Sequence, residues 1–157
     1  MRYLSIGVAL AVAATPSVAD ESPGEEIDRT VWSVVSETVA VHDLEGMAAV
    51  YHQDAVVVSE RGTVAIADQL VRWGEGMERA EAAGASAGVS FRFVTRQDGE
   101  TTAFQIGMFR YTRTDRDGTE STSYVPFEAL LVKKEGRWLI LMERQLKAAD
   151  ESAWDSL

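Results

Sequence analysis

At 157 residues the chain has the length of one domain, and 46% apolar with 25% charged residues is a globular rather than a disordered composition. A formal charge of −10 sets its surface against nucleic acid and anionic membranes, which repel it. The absence of cysteine excludes disulfides, thiolate nucleophiles and cysteine metal ligands, and a core of this size folds without disulfides.

The N-terminus reads as a secretory signal peptide over 1–19. Met1-Arg2 is a short basic start, Leu4–Ala14 is almost wholly apolar, and Ser17-Val18-Ala19 places small residues at both recognition positions, so cleavage is expected before Asp20. The apolar run is too short to span a bilayer, and Pro16 ends it. Loss of Arg2 takes the mature charge to −11. A leader this short suggests bacterial export, so the expected location is periplasm or medium, with no membrane association after cleavage.

Asp20–Glu26 is a polar leader. From Glu25 to about Val41, Ile27, Val31, Val34 or Val35, Thr38 and Val41 recur every three to four residues, which predicts an amphipathic helix. Glu25, Glu26 and Asp28 suit its first turn. Its β-branched content opposes a helix unless burial against a sheet overrides propensity. His42-Asp43 is a break with Asp43 as N-cap. Leu44, Met47, Ala48 and Tyr51 form one face of a short second helix that ends near His52-Gln53-Asp54. Ala55–Val58 is a brief strand and Arg61-Gly62-Thr63 a turn. Ile66, Leu70, Trp73 and Met77 predict a third helix over roughly Val64 to Ala80, followed by a small-residue linker, Glu81–Gly88.

The remainder reads as sheet. Val89–Arg96 presents Val89, Phe91 and Phe93 on one face. Thr101–Arg113 is partly apolar on both faces, which calls for cover on both. Thr122–Lys133 sets Tyr124, Pro126, Glu128, Leu130 and Val132 against Val125, Phe127, Ala129 and Leu131, and Pro126 suggests an edge or a bulge. Trp138–Leu146 sets Trp138, Ile140, Met142 and Arg144 against Leu139, Leu141, Glu143 and Gln145. Turns fall at Gln97–Glu100, Asp115–Gly118 and Lys134–Gly136. Lys147–Leu157 is an acidic tail whose Trp154 either packs back or lies free. The order predicts an α+β fold with helices gathered on one side of a curved antiparallel sheet, leaving room for a pocket between them.

No phosphate-binding glycine loop, His-Glu-x-x-His string or serine nucleophile elbow is present. His42 and His52, at two helix ends, fall short of the three protein ligands a zinc site usually needs, so no metal and no cofactor are expected. Glu128 interrupts the apolar run Val125–Val132. Facing a pocket, it is a desolvated acid able to donate a hydrogen bond or move a proton; otherwise it pairs with Arg110 or Arg144. Tyr124, on the same face, is a candidate donor, and His52 a candidate assistant. Trp73 and Met77 are core or ligand wall, and Phe109 is a further candidate wall residue.

Two strings carry a family resemblance. Asp43-Leu44-Glu45-Gly46-Met47-Ala48-Ala49-Val50-Tyr51-His52-Gln53-Asp54-Ala55-Val56-Val57-Val58 resembles the second helix and first strand of the nuclear transport factor 2-like superfamily, especially its SnoaL-like and ketosteroid-isomerase-like members. Phe127–Ile140, with Gly136-Arg137-Trp138-Leu139-Ile140, resembles the closing hairpin of that superfamily. The likeness spans about Ile27–Gln145, which divides the chain into leader 1–19, a SnoaL-like domain 20–146 and tail 147–157. It implies a cone-like α+β sheet whose mouth holds a small apolar or carbonyl-containing molecule, often in a homodimer. Isomerase chemistry transfers poorly. The general base of the ketosteroid isomerases falls on Ser59, with Glu60 one residue on; the tyrosine donor falls on Val35; only the later carboxylic acid has a counterpart, Glu128.

The leading expectation is therefore an exported small-molecule-binding domain without steroid-isomerase activity. The alternatives are an enzyme moving a proton on a small hydrophobic carbonyl substrate, with Glu128 as acid–base and Tyr124 or His52 assisting, and a homo-oligomeric interaction module.

Overall fold

The computed structural model describes residues 21–157; the expected signal peptide lies outside the described residues. One helical run opens the chain, made of α1 (Pro23–Ile27), a π-helical turn (Asp28–Trp32) and α2 (Ser33–Val41). Ser22 and Glu25 close a reciprocal capping box at its start, each side chain holding the other's backbone N–H. Ile27, Val31, Trp32, Val35 and Thr38 are buried, and this burial carries the β-branched helix. Val41, expected on the same face, is 73% exposed. After Val35 and Thr38 the next position on the buried face is His42, which ends α2 in the left-handed conformation (φ 57°).

Asp43 caps α3 (Leu44–Ala48) by accepting from the Gly46 N–H. Strand β1 (Tyr51–Ser59) begins four residues earlier than the sequence suggested, so His52–Asp54 are strand rather than helix end. A tight turn joins it to β2 (Gly62–Ala65), a strand where the local pattern predicts a turn and a helix start. Helix α4 (Ile66–Ala83) stops at Gly84, whose positive φ suits a C-terminal cap. The sheet continues with β3 (Ser86–Asp98), β4 (Thr102–Thr114), β5 (Glu120–Lys134) and β6 (Arg137–Gln145). The strand order is β2-β1-β6-β5-β4-β3. All neighbours are antiparallel except β1 and β6, which run parallel. The architecture is α+β, an open six-stranded curved sheet with the N-terminal helices packed on one face.

That inner face makes the core. Phe127, Ala129, Leu131, Trp138 and Ile140 meet Ile27, Val31, Trp32 and Val35 of the first helical run. Rings close the contact: Trp32 lies 4.9 Å from Phe91 and 5.4 Å from Phe127, centroid to centroid. The helix start is tied to the far hairpin by Glu26, whose carboxylate accepts from Lys133 Nζ (2.6 Å) and Trp138 Nε1 (3.0 Å).

Two departures from regular alternation decide what faces inward. In β6 the pairing jumps from Leu130↔Met142 to Leu131↔Ile140, so Leu141 is an extra residue. Even-numbered Trp138 and Ile140 point inward before it, odd-numbered Glu143 and Gln145 after it. Uninterrupted alternation had put Ile140 and Glu143 on opposite faces; the bulge unites them. A second bulge in β3 makes Val94 the extra residue. Pro126 sits in an interior strand, paired with Met108 of β4. Its carbonyl accepts from Leu146 N, just past the last β5–β6 pair, so its missing N–H points where that ladder has already ended.

The outer face is covered at one end by the C-terminal segment. Asp150 caps α5 (Glu151–Asp155), and Trp154, 4% exposed, packs back. Its ring lies 6.0 Å from that of Tyr124 and beneath the Arg92 guanidinium (4.4 Å), whose Nη1 donates to the Trp154 carbonyl.

Candidate functional site

Between the helices and the inner face of the sheet lies a cavity of about 600 Å³, within the size range of small-molecule sites. Trp32, Val35 and Val39 of the first helical run form one wall. Val89, Phe91, Phe109 and Val125, from three adjacent strands, form the opposite one. Helix α4 closes a third side with Trp73, Gly76, Met77 and Ala80. Two small residues there leave room that larger side chains would occupy. The two glycines of this helix differ in kind: a Cβ on Gly74 would lie 2.7 Å from Leu44 Cδ2, whereas one on Gly76 meets nothing within 4 Å. Gly74 lets α3 and α4 approach; Gly76 answers to open space.

The polar groups gather at two places. Deep in the fold, Glu143 is 7% exposed and lines the cavity. Tyr51 Oη donates to its Oε2 at 2.6 Å and Gln145 Nε2 to its Oε1 at 2.7 Å. Burial, reinforced by the Glu143 charge and their hydrogen bond, holds the Tyr51 hydroxyl well above the usual tyrosine range, so it stays a donor. Each carboxylate oxygen retains capacity for one more donor. His42 also lines the cavity, and its buried Nε2 has no hydrogen-bond partner. The second group is exposed lining: Arg72 and Arg79, two turns apart on α4, and, on the sheet, Tyr111, Arg113 and Ser123 at the ends of β4 and β5.

The expected site residues separate. Trp73, Met77 and Phe109 line the cavity. Glu128 does not: it projects from the outer face and pairs with Arg144 (3.2 Å), one of the two partners foreseen for it. Tyr124 shares that face, donating to Glu151 and packing on Trp154. His52 lies outside the cavity, its Nδ1 accepting from the Asp54 N–H. Of the positions matched to isomerase roles, Val35 is cavity wall, while Ser59 and Glu60 sit at the β1–β2 turn and Ser59 Oγ accepts from Arg61 N. Glu143, Tyr51 and Gln145 were missed. For Glu143 and Gln145 the signal was the run Leu139–Met142, four apolar residues without alternation, where a strand changes phase. Among the described residues no three or more His, Asp or Glu side chains gather to hold a metal ion.

No family model matches the chain, and no curated protein matches it in sequence. Solved structures do. An NTF-2 like protein of unknown function from Shewanella oneidensis superposes with a TM-score of 0.63 at 16% identity, over 80% of this chain and 99% of that one. A putative calcium/calmodulin dependent protein kinase II association domain from Xanthomonas campestris gives 0.63 at 17%, over 93% and 99%. A ketosteroid isomerase-like protein from Erwinia carotovora atroseptica gives 0.55 at 17%, over 80% and 98%. At these identities the likeness is one of fold, and the fold is the nuclear transport factor 2-like one that the two sequence strings resemble.

Proposed function

We propose that the protein is an exported small-molecule-binding domain, without steroid-isomerase activity, whose largely apolar ligand occupies the cavity between α4, the first helical run and the sheet. The observation that carries this reading is the cavity itself: about 600 Å³ of aromatic and aliphatic wall with a few convergent polar groups. Glu143 offers the ligand an acceptor, and the His42 ring is part of the wall. Gly76 supports it too, since a mid-helix glycine costs about 1 kcal/mol against alanine and no packing contact here requires it.

Isomerase chemistry lacks its parts. Val35 offers no donor where the tyrosine would stand, and Ser59 and Glu60 lie at a turn away from the cavity. The second reading, proton transfer on a small hydrophobic carbonyl compound, gains one supporting observation: a carboxylate within the cavity. It moves the acid–base role from Glu128 to Glu143. Glu143 already accepts from two donors, an arrangement that suits holding a ligand donor better than taking a proton from carbon. The leader pattern supports a periplasmic or secreted location, and the resemblance a homodimer.

Two of the four tryptophans, Trp32 and Trp73, line the cavity, so intrinsic fluorescence reports its occupancy. Protein purified under native conditions is expected to release a small apolar compound on organic extraction, and to recover its fluorescence when that compound is returned. A protein that yields nothing and whose emission is unmoved by a panel of apolar compounds would sink the reading. Turnover of a 3-keto-Δ5 steroid would overturn the exclusion of isomerase activity.

A further inference from the structure

The cavity inverts the charge of the molecule around it. The chain carries 25 acidic and 15 basic residues, yet the cavity is lined by three arginines against one carboxylate. That carboxylate, Glu143, is buried and already hydrogen-bonded. The strand register sets Glu143 and Arg113 far apart. Glu143 pairs with Ala129 and Ala129 with Gln105, whereas Arg113 lies at the other end of β4. The separation along the strand is roughly 25 Å at about 3.3 Å per residue, less across the curve of the sheet.

Two of the arginines are available. Arg72 and Arg79 lie two turns apart on the cavity side of α4. Arg72 makes no ion pair among the described residues, and Arg79 reaches Glu75 only loosely, at 3.7 Å with both side chains largely in solvent. Arg113 is held by Asp115 at 2.8 Å. An arginine fork beside an apolar wall receives an oxyanion through charge-assisted hydrogen bonds.

We propose that the ligand is an amphipathic monoanion, with its apolar body among Trp32, Phe91 and Phe109 and a carboxylate- or sulfonate-like head at the mouth against Arg72 and Arg79. The proposal rests on the ligand-binding reading above and adds the chemistry of the head group. The acidic surface excludes polyanions by long-range repulsion, while a single negative charge at the rim meets the local arginines first.

Two fluorescent probes with the same aromatic body test it: 8-anilino-1-naphthalenesulfonate, an anion, and N-phenyl-1-naphthylamine, which is neutral. Each is titrated into the wild type, Arg72→Gln/Arg79→Gln and Gly76→Leu, the last narrowing the cavity from within. The anion is expected to bind roughly tenfold more tightly than the amine. That advantage is expected to shrink to about twofold or less in the double glutamine variant and in high salt, with both probes lost in Gly76→Leu. Equal affinity for the two probes, with both lost in Gly76→Leu, would overturn the anionic head while leaving the cavity reading intact. Binding that Gly76→Leu does not weaken would overturn the cavity reading and this proposal together.

Discussion

The Tyr51–Glu143 pair is the residue on which the chemistry of the cavity turns, because a buried carboxylate tolerates little loss of hydrogen bonding. Tyr51→Phe removes a donor and almost no volume, leaving Oε2 short of its partner, and is expected to cost about 1–3 kcal/mol in urea unfolding. In a Glu143→Gln background the same change is expected to cost less, a coupling that a double-mutant cycle reads directly. Glu26 carries a pH signature. The hydrogen bond from Lys133, aided by that from Trp138, holds its carboxyl below the ordinary 4.5. A depressed folded value contributes stability above the unfolded one, lost as pH falls through the folded one. Glu26→Gln is therefore expected to flatten the fall in melting temperature below about pH 4.5 relative to wild type; parallel curves would refute it. At this scale the sequence was half legible. The alternation of β5 correctly separated Glu128 from Phe127, but Pro126 and Leu130 flank Glu128 with apolar side chains, so alternation alone did not say which face was inner.

Elements declared themselves where local chemistry was strong and stayed hidden where pairing decides. Glu135-Gly136 closes the β5–β6 hairpin with both residues at positive φ, as a two-residue turn requires, and was readable from Lys134-Glu135-Gly136. Strand β2 was not, since its two β-branched residues, Thr63 and Val64, are too few to show a period, and the segment takes its state from pairing with β1. The parallel β1–β6 contact was also invisible, because nothing local encodes a pairing between distant strands. The C-terminal helix falls between these cases: a polar, net acidic tail organised by one aromatic. With the ring of Trp154 among Tyr124, Arg92 and Arg110, Trp154→Ala is expected to cost about 3 kcal/mol. It should also free the segment, so limited tryptic cleavage after Lys147 should accelerate well beyond what the lost global stability accounts for. Unchanged cleavage kinetics would mean that α5 is held by something other than this ring.

For the molecule as a whole, a cavity this size in a chain this short is stability forgone, and α4 shows where. The fold was legible because helices, turns and alternation agreed with one another. The cavity was foreseen only as room between layers, since its shape depends on which inward positions are small, and a mid-helix glycine such as Gly76 does not by itself say whether it answers to close packing, as Gly74 does, or to open space. Leucine at position 76 recovers helix propensity, about 1 kcal/mol, and buries apolar surface in space that nothing occupies. The expected outcome is a protein about 1–2 kcal/mol more stable, melting roughly 3–6 °C higher, that has lost its ligand. Gly74→Ala, two residues away on the same helix, is expected to do the reverse, pressing on Leu44 and destabilising without emptying the site. Thermal melts of the two variants beside apolar-ligand titrations separate the roles. If Gly76→Leu melts lower than wild type, the space beside Gly76 is not open, and the case for the cavity as a binding site fails with it.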